Sequence, residues 1–259
     1  MKTTFRVGAA IAACALLCGA AATAPRTPDH GATAGADSAG FALLELFTSE
    51  GCSSCPPADA LLAGLASEAR RSGRRVYALS FHVDYWDRLG WKDRFSSAAF
   101  TRRQGDYARR FRLASLYTPQ LVVNGAQEIV GSDAPRVEAA LRAALASPAR
   151  VPVAVAATAS GLDVSVRCRV GKAPAGALLE VAWVDATASS APDAGENRGR
   201  ALRHANVVRD LRGVRLDRPF DGTVGLSRPE ARDGVVIAWV QEAGPGPVLG
   251  AAAADVGAK

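Results

Sequence analysis

The pattern of apolar and polar positions changes three times along the chain. Lys2 and Arg6 precede an uncharged run from Val7 to Ala22, and Ala22-Thr23-Ala24 then offers an A-x-A cleavage site. This is the anatomy of a secretory signal peptide, expected over residues 1–24. The run is short for a bilayer core of about 30 Å, so cleavage is favoured over anchoring. Ile11-Ala12-Ala13-Cys14 also has the look of a lipobox, though the apolar stretch before it is brief. Residues 25–40, rich in Ala, Gly, Thr and Pro, read as a flexible leader.

From Phe41 the texture is that of alternating strands and helices. Phe41 to Phe47 (FALLELF) is almost continuously apolar, the pattern of a strand buried on both faces. Cys52-Ser53-Ser54-Cys55-Pro56-Pro57 then opens a helix with Leu61, Leu62 and Leu65 at helical spacing, its serines and prolines suited to a helix start. A second strand lies in VYALSFHV. Ser97 to Arg112 predicts a helix with Phe100, Tyr107 and Phe111 on one side. Leu121-Val122-Val123 is entered through Thr118-Pro119 and left through Asn124-Gly125, a hairpin signal, with Glu128-Ile129-Val130 as the returning strand. Ala134 to Ala146 closes this unit as a helix. The order β-α-β-α-β-β-α predicts an α/β domain over residues 41–147, its sheet mostly parallel with one antiparallel edge.

After Pro148 the period becomes two. Val151-Val153-Val155 and Leu162-Val164-Val166-Cys168-Val170 alternate with polar residues, and Leu178 to Val184 and Val235 to Val240 are further strands. Residues 151–256 therefore read as a small antiparallel β-sandwich-like domain, with 188–200 as a long exposed loop.

Composition narrows this picture only a little. The chain is 49% apolar, 22% charged and 6% aromatic, which excludes a disordered, collagen-like or multi-span membrane protein. Its net charge of +6 is scattered, not gathered into the stripe that nucleic acid requires, so no nucleic-acid partner is expected. Signal cleavage would remove Cys14 and Cys18 and leave Cys52, Cys55 and Cys168, outside the cytoplasm where disulfides persist. The expected location is periplasmic or secreted, without stable membrane insertion after cleavage.

The Cys52–Cys55 pair carries the strongest chemical signal. Two thiols at this spacing close a small ring, and a helix N-terminus stabilises the thiolate, lowering its pKa to roughly 3.5–7.5. On that reading Cys52 is the exposed attacking thiol and Cys55 the resolving one. A passive structural disulfide and half of a zinc site are the alternatives, although no second CxxC completes a zinc set. His82, Asp84, Tyr85, Trp86 and Trp91 follow the second parallel strand, on the sheet edge that should carry the cysteines, and are expected to wall a substrate cleft. Glu196, Asn197, His204, Asn206 and Arg209 form a polar cluster that either reaches over the active edge or fixes a long loop. Cys168 is expected to be a buried free thiol.

The element order, with CxxC after the first strand and Tyr117-Thr118-Pro119 before LVVNG, resembles the thioredoxin fold. More narrowly, LFTSEGCSSCPPAD, FHVDYWDRLGWKDRFSS, YTPQLVVNG and GENRGRALRHANVVR resemble a bacterial exported thioredoxin-like family known only as a domain of unknown function. The resemblance implies a cis Pro119 packed against the disulfide, and Thr118 as the backbone that meets a substrate. It also implies Glu45 as an acid relaying protons to the resolving thiol, although Glu45 lies one residue further from Cys52 than usual; otherwise Glu45 meets an arginine or solvent. The implied activity is thiol–disulfide exchange without metal or organic cofactor, on protein or small-molecule thiols and disulfides, with an envelope protein as a possible partner. The rival expectation is a non-catalytic binding protein of the cell envelope that keeps this disulfide permanently.

Overall fold

The structure, a computed structural model, describes residues 1–4 and 39–257. The expected signal peptide, apart from residues 1–4, and nearly all of the expected leader lie outside the described residues. The described residues from 39 onward belong to one compact unit. Among the described residues, no helix is long and apolar enough to cross a membrane.

The molecule is a mixed α/β protein with one large mixed sheet and a second, antiparallel sheet. Its first half contains β1 (Ala42–Thr48), α1 (Pro56–Ser72), β2 (Val76–His82), α2 (Ala98–Phe111), β3 (Gln120–Val123), β4 (Gln127–Val130) and α3 (Ala134–Ala146). The second half is all strand: β5 (Val153–Ser160), β6 (Asp163–Val170), β7 (Ala177–Ser190), β8 (Leu202–Leu216), β9 (Phe220–Ser227), β10 (Gly234–Gln241) and β11 (Val248–Val256).

β1 is buried along its whole length, and its alternate residues serve two different cores. Ala42, Leu44 and Leu46 pack with Ala58, Leu62 and Ala66 of α1 and with Val137 and Leu141 of α3. Leu43 and Phe47 point the other way, into a core with Phe100 and Tyr107 of α2. α1 and α3 therefore cover one face of β1 and α2 the other. Local chemistry sets the ends: Ser97 accepts the Ala99 N–H to start α2, and Asp133 accepts the Arg136 N–H to start α3. Asn124 (φ 47°) and Gly125 (φ 62°) make the left-handed turn between β3 and β4 that the Asn-Gly pair predicts.

The texture change near residue 148 does not divide the sheet. Its strand order is β11-β10-β7-β8-β2-β1-β3-β4, so four strands of the second half continue the sheet of the first. The junction is β2 alongside β8, parallel at Ser80 and Val207, and fastened by side chains on buried backbone. Ser80 Oγ donates to Ala205 O (2.9 Å), and Asn206 Nδ2 to Ala78 O (2.9 Å). The β5-β6-β9 sheet shares a core with β7, β10 and β11, around Val166, Cys168, Val181, Trp183 and Val236. One side of that core is thus the large sheet itself. The segment expected as an exposed loop over 188–200 is corrected in part: β7 runs on to Ser190, and Asn197 is fully buried.

Candidate functional site

The turn between β1 and α1 brings the cysteines together. Cys55 N donates to Cys52 O (3.2 Å), Cys55 caps α1, and the two sulfurs form a disulfide with the Cα atoms 5.4 Å apart. Ser54 Oγ lies 3.3 Å from Cys52 Sγ, and Ser54 and Ser53 are exposed. The cysteines are not. Both are 0% exposed, so the expectation of an exposed Cys52 is corrected.

The cover comes from the second half of the chain. Asn197 Nδ2 donates to the carbonyls of Glu50 and Cys52, each at 2.9 Å, while its Oδ1 accepts from Arg200 Nη1 (2.8 Å). Glu196 Oε2 accepts the Ser53 N–H at 2.9 Å. The Ser53 hydroxyl and N–H hold the exposed Glu196 carboxyl below the usual range. Gly195 (φ 75°) supplies the left-handed turn leading into this pair, against Trp91. The polar cluster foreseen in the second half thus splits. Glu196, Asn197 and His204 reach the cysteine loop, Asn206 fixes β8 to β2, and Arg209 Nη1 pairs with Asp185 (3.0 Å).

Beside the cysteine loop lies a buried ionic network. His204 Nε2 is 3.4 Å from Glu50 Oε1, and its Nδ1 is 3.7 Å from Asp59 Oδ2 in the first turn of α1. The His204 ring stands edge-on to His82 at 4.8 Å, and His82 Nδ1 meets Asp93 Oδ2 at 2.6 Å. Asp93 Oδ2 also accepts the Glu50 N–H (2.9 Å), and Trp91 Nε1 donates to Glu50 Oε2 (2.7 Å). Burial opposes the His204 cation, but the adjacent Asp59 and Glu50 carboxylates outweigh it and hold its pKa at about 9. Burial likewise opposes the carboxylates. His204, Ser190 and Trp91 nevertheless keep Glu50 below its ordinary value, and His82 with two backbone N–H groups does the same for Asp93. His204 is therefore a buried cation at neutral pH, and its partner Glu50 lies two residues before Cys52. Among the described residues no group of three or more His, Cys, Asp and Glu has an arrangement that could hold a metal ion.

The remaining expected residues fall into two sets. Near the cysteines, Thr118–Pro119 is a cis peptide; Thr118 O accepts from Ser54 Oγ (3.4 Å), and its Oγ1 accepts from Trp86 Nε1 (2.8 Å). Trp86 and Trp91 flank the loop with their ring N–H groups turned inward, and Tyr85 is half-buried beside Trp86. Asp84 instead accepts from Thr101 Oγ1 of α2 (2.6 Å), and His82 is 0% exposed, so His82 faces no cleft. Glu45 lies elsewhere. On the α2 face of β1 it accepts from Arg103 Nε (2.6 Å) and the Tyr107 hydroxyl (2.5 Å), with Glu180 and Gln241 also on Arg103. Of the two roles open to Glu45, the structure has the arginine partner, and the pairing leaves it on the side of the sheet away from α1.

Residues 43–241 match the family described as Protein of unknown function (DUF1223). The chain belongs to that family. The matched DUF1223 span runs from β1 to β10 and includes both cysteines, the covering Glu196 and Asn197, and His204. Among solved structures the DUF1223 chain is similar to protein AGR_C_4864 from Agrobacterium tumefaciens, with a TM-score of 0.62 and 29% identity over 83% of this chain and 94% of that one. It is also similar to HBP35 of Porphyromonas gingivalis, with a TM-score of 0.57 and 15% identity over 84% of this chain and 76% of that one, a likeness of fold alone. No curated protein matches.

Three members of the DUF1223 site escaped the sequence reading: Glu50, Asp59 and Asp93. Glu50 and Asp93 stand in polar stretches and Asp59 in the first turn of a helix, places where an acid looks like a solvated surface group, and their partners His204 and His82 arrive from distant strands. The placement of Glu50 and Asp59 just outside the two cysteines was the available signal.

Proposed function

We propose that this DUF1223 protein is an exported, thioredoxin-like thiol–disulfide oxidoreductase. The observation that carries the reading is the Cys52–Cys55 disulfide at the start of α1, tied through Ser54 to the carbonyl of Thr118 before cis Pro119. The order β1-α1-β2-α2-β3-β4-α3 supports the thioredoxin-like assignment, and the basic start followed by an apolar run in residues 1–24 supports export.

In the reduced protein, the Cys52 thiolate attacks one sulfur of a substrate disulfide. A mixed disulfide forms and a substrate thiolate leaves, taking a proton. The Cys55 thiolate then attacks Cys52 Sγ, restoring the disulfide and releasing the second substrate thiol. The substrate gains two electrons and the protein loses two, to be returned by a dithiol reductant. The N–H groups at the start of α1 favour the Cys52 thiolate. Because Cys52 is covered, each turnover first requires Asn197 and Glu196 to leave the loop.

A specific observation favours a second reading. Both cysteines are fully buried and Asn197 holds the Cys52 carbonyl, as a permanent staple in a binding protein would be held. Equilibration in thiol buffers of defined potential, with mass-tagging of free thiols, separates the two. A midpoint between about −270 and −120 mV supports exchange, whereas a pair still oxidised below about −300 mV makes the disulfide structural. Trapping adds direction: Cys55→Ser should accumulate mixed disulfides through Cys52, and Cys52→Ser should not.

A further inference from the structure

An open cleft of about 710 Å³ lies between α1 and the tip of the β7–β8 hairpin. Its floor is the paired backbone of both strands, where Thr187, Ala188 and Ser189 face Ala205, His204 and Arg203. Its wall is the α1 face bearing Ala63 and Arg70, seven residues apart and so on one side of the helix. Arg94, from the loop after β2, and Arg232, from the loop before β10, close the ends. Four arginines therefore line this cleft, and none of its lining residues is acidic.

The nearby carboxylates are already engaged. Asp185 pairs with Arg232 Nη2 (2.5 Å) and Arg209, Glu230 lies near Arg232 Nη1 (3.8 Å), and Glu50 and Asp59 lie beside the buried His204 ring. That leaves Arg70, Arg94 and Arg203 lining the cleft with no carboxylate within ion-pair distance among the described residues. Arg94 is held in place without being neutralised: its Nη2 donates to Ser189 O (2.8 Å), and its guanidinium lies over the Phe95 ring. Converging like charges repel one another in the empty cleft, and a bound anion removes that repulsion. Guanidinium forks match the paired oxygens of carboxylates and phosphates, and the volume suits a small molecule.

We propose that this cleft binds a small multivalent oxyanion, its carboxylate or phosphate groups gripped by Arg70, Arg94 and Arg203. The site is separate from the exchange chemistry and stands whether or not the cysteines turn over.

The test is calorimetric titration of the purified protein with inorganic pyrophosphate and, separately, with citrate at about 0.15 M salt, where exposed charges are screened beyond about 8 Å. One-to-one binding is expected, tighter for whichever oxyanion the site prefers. Arg70→Gln and Arg203→Gln should each weaken it by about tenfold to a hundredfold, the range for a lost hydrogen bond to a charged group. Both positions are exposed, so the variants should fold. Arg94→Lys keeps the charge but loses the fork, and it should weaken binding as well. Arg102→Gln, on the exposed side of α2, should change it less than about twofold. Failure of both anions to bind, or an equal loss in Arg102→Gln, would overturn the assignment and leave only diffuse surface charge.

Discussion

Asn197 shows how one buried amide can tie a distant loop to the cysteine turn. Its two donors go to the carbonyls of Glu50 and Cys52 and its acceptor to Arg200. Asn197→Ala takes the side-chain partner from the Glu50 carbonyl and leaves the Cys52 carbonyl only the Cys55 N–H, and should cost about 1–3 kcal/mol in denaturant unfolding. It should also speed reduction of the disulfide by a small phosphine, because the loop loses its anchor; an unchanged rate would mean that Asn197 does not gate Cys52. His204 makes the second prediction at this scale. Its pKa is raised in the folded protein, from 6.5 to about 9. Its stabilisation is thus fully present below about pH 6.5 and is lost as pH rises through about 9, a change on the order of 3 kcal/mol. Urea unfolding from pH 6 to 9 should show that decline in the wild type and not in His204→Gln. Burial pushes the Cys168 thiol up to about 11 from 9, so its own loss of stability begins only above that window. The cysteine spacing and Thr118-Pro119 were visible in the sequence, because each is a local motif. The His204 network was not, since Glu50, Asp59 and His204 are brought together only when β8 packs against α1.

Elements decide which side chains can cooperate, and β1 is the clearest case. Its alternation sends Leu44 and Leu46 toward α1 and Glu45 toward α2, so adjacent residues serve opposite sides of the sheet. Glu45 sits there with Arg103, Tyr107, Glu180 and Gln241. The surrounding carboxylates hold Arg103 firmly charged despite its burial. Arg103→Met strands the Glu45 charge and should destabilise the fold by about 3–5 kcal/mol. Glu45→Gln, which keeps the shape, should leave the reduction potential of the cysteine pair unchanged. A shift beyond about 30 mV would restore Glu45 as a proton relay, since that corresponds to about 1.4 kcal/mol. The same element logic explains what the sequence reading found and lost. β1 and β10 are apolar runs and were legible. β8 (LRHANVVRDLRGVRL) scatters five charged residues over its length, and nothing in its own pattern announces that it will be the strand joining both halves of the sheet.

At the scale of the molecule, the question is whether residues 41–147 and 151–256 fold separately. Their sequence textures say two units, because period changes sharply near Pro148. Their packing says one. The core beneath α2 combines Phe47, Phe81, Phe100 and Val122 from the first half with Ala182, Val184, Ile237 and Trp239 from the second. β2 also has β8 as its outer neighbour. Removing residues after 147 would uncover that apolar face and leave β2 as an unpaired edge, an aggregation hazard. A fragment ending at residue 147 is therefore expected to be insoluble or to bind ANS strongly, despite containing both cysteines and the whole β-α-β-α-β-β-α unit. In the intact chain, Trp86 and Trp91 report on the first half and Trp183 and Trp239 on the second, whereas far-UV circular dichroism is dominated by α1, α2 and α3. If the shared sheet couples the halves, tryptophan fluorescence and circular dichroism will give one coincident urea transition. Two separated transitions, with a soluble first-half fragment, would show that the β2–β8 junction is a docking contact and that the cysteine site can work without its cover.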